Sequence, residues 1–156
     1  LAFYFAGQYD EAVEQYRRAI GVEATSYWPH MLLGWAYEQQ GKFAEAAAQI
    51  KQAIRLNDSP QVVASLGHAY ARSGQRAEAE KVIVDLREMT RYVSPYDVGT
   101  VYAGLADREQ TLAWLERAYE DRCGWLAWWL KVDPKFEGVR SDPRFRDLLR
   151  RVGHDR

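Results

Sequence analysis

Side chains that could carry out catalysis are few in this sequence, and their spacing does not bring them together. Cys123 is the single cysteine, has no histidine near it in the pattern, and precedes a Gly-Trp pair. His30, His68 and His154 lack the spacing of metal ligands. A catalytic nucleophile needs a base and an orienting partner, and a glycine-rich phosphate loop is missing as well. We therefore predict no enzymatic activity, no cofactor and no metal.

Small and aromatic residues at helical spacing are the recurring feature instead. Residues 26–56, SYWPHMLLGWAYEQQGKFAEAAAQIKQAIRL, contain two helical patterns on either side of Gly41. Gly34 and Ala46 have almost no side chain, so two helices can approach closely there, and Ile50 supplies bulk beside them. Glycine at position 41 favours the left-handed conformation that often ends a helix. This stretch predicts one helix–turn–helix unit.

The same pattern recurs along the chain at a nearly constant interval. The turn positions Gly7, Gly41, Gly74 and Ala106 are separated by 34, 33 and 32 residues. A period of about 34 residues made of helix–turn–helix units is typical of the tetratricopeptide repeat family, which residues 1–123 resemble. The resemblance implies an all-α solenoid in which stacked helix pairs form a right-handed superhelix. Ala106 departs from the glycine expected at the fourth turn.

The pattern divides the chain into a repeat array and a C-terminal cap. We predict a partial first unit at 1–24, full units at about 25–58, 59–91 and 92–123, and capping helices with a tail at 124–156. Because the first unit lacks most of its first helix, we expect the chain to be a piece of a longer protein or a mature product. A targeting signal is not visible in it, which favours a cytoplasmic location without establishing one.

Two similar motifs in the cap predict helix starts. Asp133-Pro134 and Asp142-Pro143 each place Asp at an N-cap and Pro at the first helical position, as Ser59-Pro60 and Ser94-Pro95 do with serine in the array. The apolar cluster Trp125–Leu130 precedes them, and we interpret it as the core of the cap. A solenoid needs such a terminal element to cover the open apolar face of its last repeat.

Residues 102–153 also resemble the C-terminal end of tetratricopeptide regions in bacterial multidomain signalling proteins. That resemblance implies a bacterial origin and a regulatory or scaffolding setting, and it brings no catalytic motif with it. The net charge of −1 provides no field to attract nucleic acid. Helical repeats can read RNA, so an RNA-binding repeat is a remote alternative. The absence of an apolar run of about 18 residues argues against membrane insertion.

The first helix of each pair lines the concave wall of a tetratricopeptide superhelix, so its residues that face away from the second helix are candidates for a peptide-binding groove. These candidates are Tyr4, Phe5, Met31, Trp35, Glu38, Gln39, Ala64, His68, Arg72, Tyr96 and Thr100. Few of them are charged, which favours an extended or helical apolar protein segment as the partner. The clamp of Lys, Arg and Asn by which the family holds a terminal carboxylate has a match at Arg72 alone, and we do not carry it over.

Other interpretations of these residues are open at this point. Trp35 could pack against a neighbouring helix without any ligand, and Tyr4 and Phe5 could be exposed because an upstream helix is missing. His68 could be a surface or groove histidine with no special role. Self-association is the alternative function, since a second copy could stack end to end on the apolar edge around Leu1, Phe3 and Phe5.

Overall fold

The computed structural model describes residues 1–153 and is helical, without strands, over that range. Four helix pairs follow one another: α1 (Ala2–Phe5) with α2 (Tyr9–Val22), α3 (Tyr27–Gln39) with α4 (Phe43–Leu56), α5 (Pro60–Arg72) with α6 (Arg76–Glu88), and α7 (Pro95–Gly104) with α8 (Arg108–Glu120). The chain continues through α9 (Gly124–Trp129), a 3₁₀ helix (Pro134–Val139) and α10 (Pro143–Arg151). This architecture confirms the predicted all-α helical solenoid, while His154 and the end of the predicted tail lie outside the described residues.

Close approach within a helix pair depends on glycine where the sequence indicated it. A Cβ atom added to Gly34 on α3 would lie 2.5 Å from Cγ1 of Ile50 and 3.1 Å from the carbonyl oxygen of Ala46, both on α4. Ile50 and Ala46 are fully buried. The backbone of α3 therefore rests directly on α4, and the small-residue pattern predicted this contact correctly.

The turns between paired helices use the left-handed conformation. Gly41 has φ +73°, and its successor Lys42 donates its backbone N–H to the carbonyl of Tyr37 at 2.9 Å. Ala106 has φ 57° at the fourth turn, where Asp107 donates in the same way to Tyr102 at 3.1 Å. The fourth turn thus keeps the geometry of the others but holds it with a Cβ atom present, which costs about 1 kcal/mol.

Proline opens several helices, and the residue before it acts as a cap in most of them. The side chains of Ser94, Asp133 and Asp142 each accept a backbone N–H from the residue two positions on. Ser59 precedes Pro60 at the start of α5 but makes no such bond; the side chain of Asn57 accepts the N–H of Ser59 instead, at 2.9 Å. The predicted helix starts are correct, and at Ser59 the side-chain bond is not formed.

The helices form two layers, and the cap segment, residues 124–152, returns across one of them. In the inner layer α3 contacts α5 and α5 contacts α7, while α4, α6 and α8 lie outside. The cap segment covers α7 and α8 with Phe136 and Phe145, which are both fully buried. On the outside, Arg144 binds Glu109 of α8 at 2.7 Å, and Arg151 pairs with Glu116 of the same helix.

The apolar cluster at the start of the cap segment divides into a buried part and an exposed part. Leu126 and Leu130 are buried, and Trp129 is half-buried. Trp128 is 75% exposed and Trp125 is 37% exposed. The prediction that the whole cluster forms the core of the cap is therefore wrong for these two residues, since a helix of six residues directs one face inward and leaves the other in water.

Candidate binding groove

The predicted groove residues lie on the inner layer, and most of them are buried within the chain. Tyr4 lies on α1, Trp35 on α3 and Tyr96 on α7, and the buried set as a whole is Tyr4, Met31, Trp35, Glu38, Ala64, His68, Tyr96 and Thr100. Phe5 and Gln39 are partly buried, and Arg72 is exposed. We call the face formed by Tyr4, Trp35, Glu38, Tyr96 and Asp97 the inner groove. Its role in binding a partner stays a prediction.

Trp35 is the centre of the inner groove. Its side chain is 3% exposed, and its Nε1–H donates to Oγ of Ser65 on α5 at 2.9 Å. Its ring lies 5.9 Å from that of Tyr4 and 6.1 Å from that of Trp129, which belongs to the cap segment. Trp129 also lies 6.2 Å from Phe5, measured between ring centroids. The cap segment therefore reaches from the last helix pair back to the first.

Lys135 of the cap segment points into the inner groove rather than into solvent. Its ammonium nitrogen lies 3.5 Å from the centroid of the Trp35 ring and 5.7 Å from that of Tyr4. The side chain is 3% exposed, and the nitrogen lies 3.6 Å from Oδ1 of Asp133. A cation over an aromatic face is attracted by the ring quadrupole, and the attraction is strongest where water is excluded.

Asp133 connects the cap segment to α7. Its Oδ2 accepts the hydroxyl of Tyr96 at 2.9 Å, and its Oδ1 accepts the backbone N–H of Lys135 at 3.0 Å. Burial and the nearby Asp133 carboxylate raise the pKa of Tyr96 well above its usual value. Tyr96 therefore stays a neutral donor, and the carboxylate that it binds serves as helix cap, ion-pair partner and acceptor together.

Asp97 is a second buried carboxyl group beside the lysine. Burial raises the pKa of Asp97 to about 7, although the Lys135 ammonium acts in the opposite direction. A cavity of about 10 Å³ lies between Asp97, Trp35, Asp133 and Lys135, which is room for about one water molecule. The inner groove thus contains a carboxyl group, that of Asp97, whose pKa lies near neutral pH.

A buried contact between a histidine and a glutamate forms the floor of the inner groove. Nδ1 of His68 on α5 lies 2.5 Å from Oε1 of Glu38 on α3, and both side chains are fully buried. Within residues 1–153, Oε2 of Glu38 has no hydrogen-bond partner. Burial raises the pKa of Tyr4, and the charges of Asp133 and Glu38 raise it further. His68 therefore belongs to the protein interior, and the interpretation of it as a surface histidine is wrong.

Sequence reasoning missed the residues that the cap segment and α7 contribute to the inner groove. Trp129, Asp133 and Lys135 belong to the segment that the sequence predicts as a cap, and Asp97 lies in the first turn of α7, where an acidic residue is ordinary. Lysine is almost never fully buried without a partner, so the residue type of Lys135 predicted an exposed position. The repeated Asp-Pro motif indicated a helix start at Asp133 but not the direction of the following side chain.

An aromatic surface outside the inner groove faces solvent. Tyr92, Trp125 and Trp128 surround a cavity of about 490 Å³ together with Cys123. Sγ of Cys123 lies 3.1 Å from Oγ of Ser94, within hydrogen-bonding distance. Trp125 stacks on Trp129 with 4.5 Å between the ring centroids, so this surface adjoins the aromatic residues of the inner groove.

The described residues contain neither a group of metal ligands nor a membrane-spanning helix. Between residues 1 and 153 no three His, Cys, Asp or Glu side chains are grouped so that they could hold a metal ion. In the same part of the chain, no helix combines the length and the apolar character that crossing a membrane requires.

Comparison with known proteins agrees with the repeat pattern. No match was found among curated proteins. The sequence profile of the tetratricopeptide repeat matches residues 1–61 and, one unit further on, residues 31–86. These two matches overlap and together cover more than half of the chain, and the second match is displaced from the first by about the period of the family. The chain therefore belongs to the tetratricopeptide repeat family.

Proposed function

We propose that this chain is the protein-binding module of a larger bacterial regulatory protein, and that its inner groove holds a peptide or protein segment. Tetratricopeptide repeats generally mediate protein–protein interactions. Helical grooves of this kind bind segments through side-chain anchors that enter pockets along the inner helices. The proposal gives the chain a binding role and assigns no reaction to it.

One observation carries the proposal: the inner groove already contains a tight turn of polypeptide, residues 129–135, which is the chain's own. Residues 129–135 run from Trp129, against Trp35, to Lys135, over the same indole ring. The groove therefore has the width and the chemistry to accept a polypeptide. A partner segment would enter by replacing these residues or by lying beside them at the partly open edge that Gln39 and Arg72 form.

Site-specific photo-cross-linking tests the location of the binding surface. A photoreactive amino acid at Gln39 or Arg72 reports on the edge of the inner groove, and the same amino acid at Val84, half exposed on the outer helix α6, is the matched control. We expect a cross-linked partner from a bacterial lysate at the first two positions and not at Val84, with mass spectrometry identifying the attached segment. Cross-linking at Val84 alone would contradict the proposal.

Self-association is the second candidate, and the N-terminal edge supports it in part. Phe3 is 36% exposed on α1, while Phe5 is partly covered by Trp129. The apolar edge available to a second copy is therefore smaller than the sequence indicated. Light scattering over a concentration series measures the state directly: a mass that rises with concentration and falls back in Phe3→Ser supports stacking, and a strict monomer excludes it.

A further inference from the structure

The inner groove contains a buried cation that simple packing of the cap does not require. Phe136 and Val139 of the 3₁₀ helix already supply the apolar contacts by which the cap segment covers α7 and α8. Burying a lysine is unfavourable unless opposite charge or an aromatic face compensates for lost hydration. An uncharged residue such as methionine would fill the same space without the cost of burying a charge. The surroundings of Lys135 are therefore suited to a cation in particular.

The groups that compensate the ammonium come from the repeat array as well as from Asp133 of the cap segment. Trp35 on α3 presents its ring face at 3.5 Å, and Tyr4 on α1 presents a second ring at 5.7 Å. Asp97 on α7 is a buried carboxyl group that the charge of Lys135 influences directly. These three residues are on three different helices of the inner layer. The array therefore forms the site, and the cap segment contributes the cation together with Asp133.

We propose that the inner groove recognises a lysine side chain, and that Lys135 occupies in cis the site that a lysine-bearing segment of a protein partner would occupy in trans. This inference rests on the proposed function. The occupant already present indicates the partner's chemistry: an aromatic residue that lies against Trp35, followed six residues later by a lysine. The compact ammonium lies directly over the indole, whereas the planar guanidinium of arginine is a larger group of different shape.

A peptide-binding experiment on the full chain tests this recognition. The chain carrying Trp129→Ala and Lys135→Ala weakens the hold of the cap segment on the inner groove and leaves the wall residues intact. The probes are two fluorescent synthetic peptides of residues 125–139, one with the natural sequence and one with Lys135→Met. We expect the natural peptide to bind this variant about tenfold or more tightly than the methionine peptide, because methionine loses the attraction to the rings and to Asp97.

The outcomes separate this inference from the proposed function. Equal binding of both peptides would overturn lysine recognition and leave the groove as a binding surface. Binding of neither peptide by the variant, with its helical circular dichroism intact, would overturn both. The matched control is Trp128→Ala, an exposed residue of the same segment, in which the cap stays in place and both peptides should bind weakly.

A second measurement decides the question if the double variant fails to fold. In the single variant Lys135→Ala, n-propylammonium can enter the space that the lysine side chain leaves. We expect it to raise the melting temperature of this variant in a saturable way, more than n-propanol at equal concentration and more than it does for the unmodified chain. Equal effects of the amine and the alcohol would show that the site does not select an ammonium group and would overturn the inference.

Discussion

The interior of a helix pair and the inner groove are both closed to water, but they are built from opposite chemistry. Between α3 and α4 the contact consists of Gly34, Ala46 and Ile50, which are small or apolar. Across the inner groove the contact consists of rings and charges, with Lys135 over Trp35. The first contact excludes any side chain that is too large, and the second depends on the charge of what enters it.

This difference separates a structural contact from one that can select a ligand. Apolar packing is non-directional and responds mainly to the volume that is filled. A buried charge needs a particular partner, and a wrong group leaves it uncompensated, which is how binding sites discriminate. Substitutions in the two regions should therefore lower stability for different reasons: a change of volume between paired helices, and a change of charge in the inner groove.

Removing the central indole should have the largest effect. Trp35→Ala deletes a buried ring together with its hydrogen bond to Ser65 and its contact with Lys135. We expect the free energy of unfolding to fall by about 3–5 kcal/mol, as measured by urea denaturation. Trp128→Ala is the control, since that ring is 75% exposed, and a change there above roughly 1 kcal/mol would contradict the surface position assigned to it.

A methyl group at the close approach should have the next largest effect. Gly34→Ala places a Cβ 2.5 Å from Ile50, and we expect a loss of roughly 1–3 kcal/mol from overpacking even though alanine favours helix formation. Gly21→Ala in α2 meets nothing within 4 Å, so only the helical preference should remain there, and stability should rise by up to about 1 kcal/mol. If both variants lose stability equally, the contact does not depend on size.

The charge of the inner groove should appear as a dependence on pH. The pKa of Asp97 is about 7 in the folded chain against a usual value of 3.8. The folded chain therefore keeps the proton that the unfolded chain releases, and the contribution of Asp97 to stability is present below about pH 4 and is lost as pH rises through about 7. Besides burial, the Lys135 ammonium acts on the titration of Asp97, and the Asp133 carboxyl and the Tyr96 hydroxyl line the same small cavity.

Replacement of that carboxyl by an amide tests the sign of the effect. Compared with the unmodified chain, Asp97→Asn should gain roughly 3–4 kcal/mol on going from pH 4 to pH 8, as measured by urea denaturation at each pH. Asp58 is the contrasting case, because its hydrogen bond from Arg91 lowers its pKa. Asp58→Asn should therefore lose stability relative to the unmodified chain as pH rises through that lowered pKa, in the opposite direction and by a small amount, since the pair is exposed.

The smallest effect should come from the fourth turn. Ala106 holds a left-handed backbone with φ 57°, where the equivalent residue of the second unit is Gly41. Ala106→Gly should raise the melting temperature, by an amount that corresponds to at most about 1 kcal/mol. Gly41→Ala is the reciprocal change and should lower it. A decrease in both variants would mean that the fourth turn has adapted to alanine by contacts that the backbone angle does not reveal.

Sequence periodicity was sufficient to predict the helices and their pairing, because the contacts that determine them lie within one unit. Gly34 with Ile50 and Gly41 at the turn act on neighbours within one unit, and so the repeat of about 34 residues predicts them directly. The same reasoning placed Trp35 and Tyr96 on the inner layer. It did not predict that they would be covered, because the path of the cap segment depends on contacts between residues about 100 positions apart.

The lysine of the inner groove shows why part of the site stays hidden in a sequence. Lysine in a polar, helix-starting motif is normally a surface residue, and Lys135 is buried only because Trp35, Tyr4 and Asp97 meet at one point. Each of these three residues has an ordinary explanation within its own helix. Only the three-dimensional arrangement shows that they surround a single ammonium group.

The contact of Trp129 with Phe5 and Trp28 also changes how the array should fold. In an open solenoid each unit touches its neighbours alone, so stability is nearly a sum over units and unfolding can spread from either end. Here Trp129 of the cap segment contacts the first and second helix pairs, so the first and last units are joined by long-range contacts. Neither end can then open without breaking the same long-range contacts, so the array should unfold as one cooperative body rather than unit by unit.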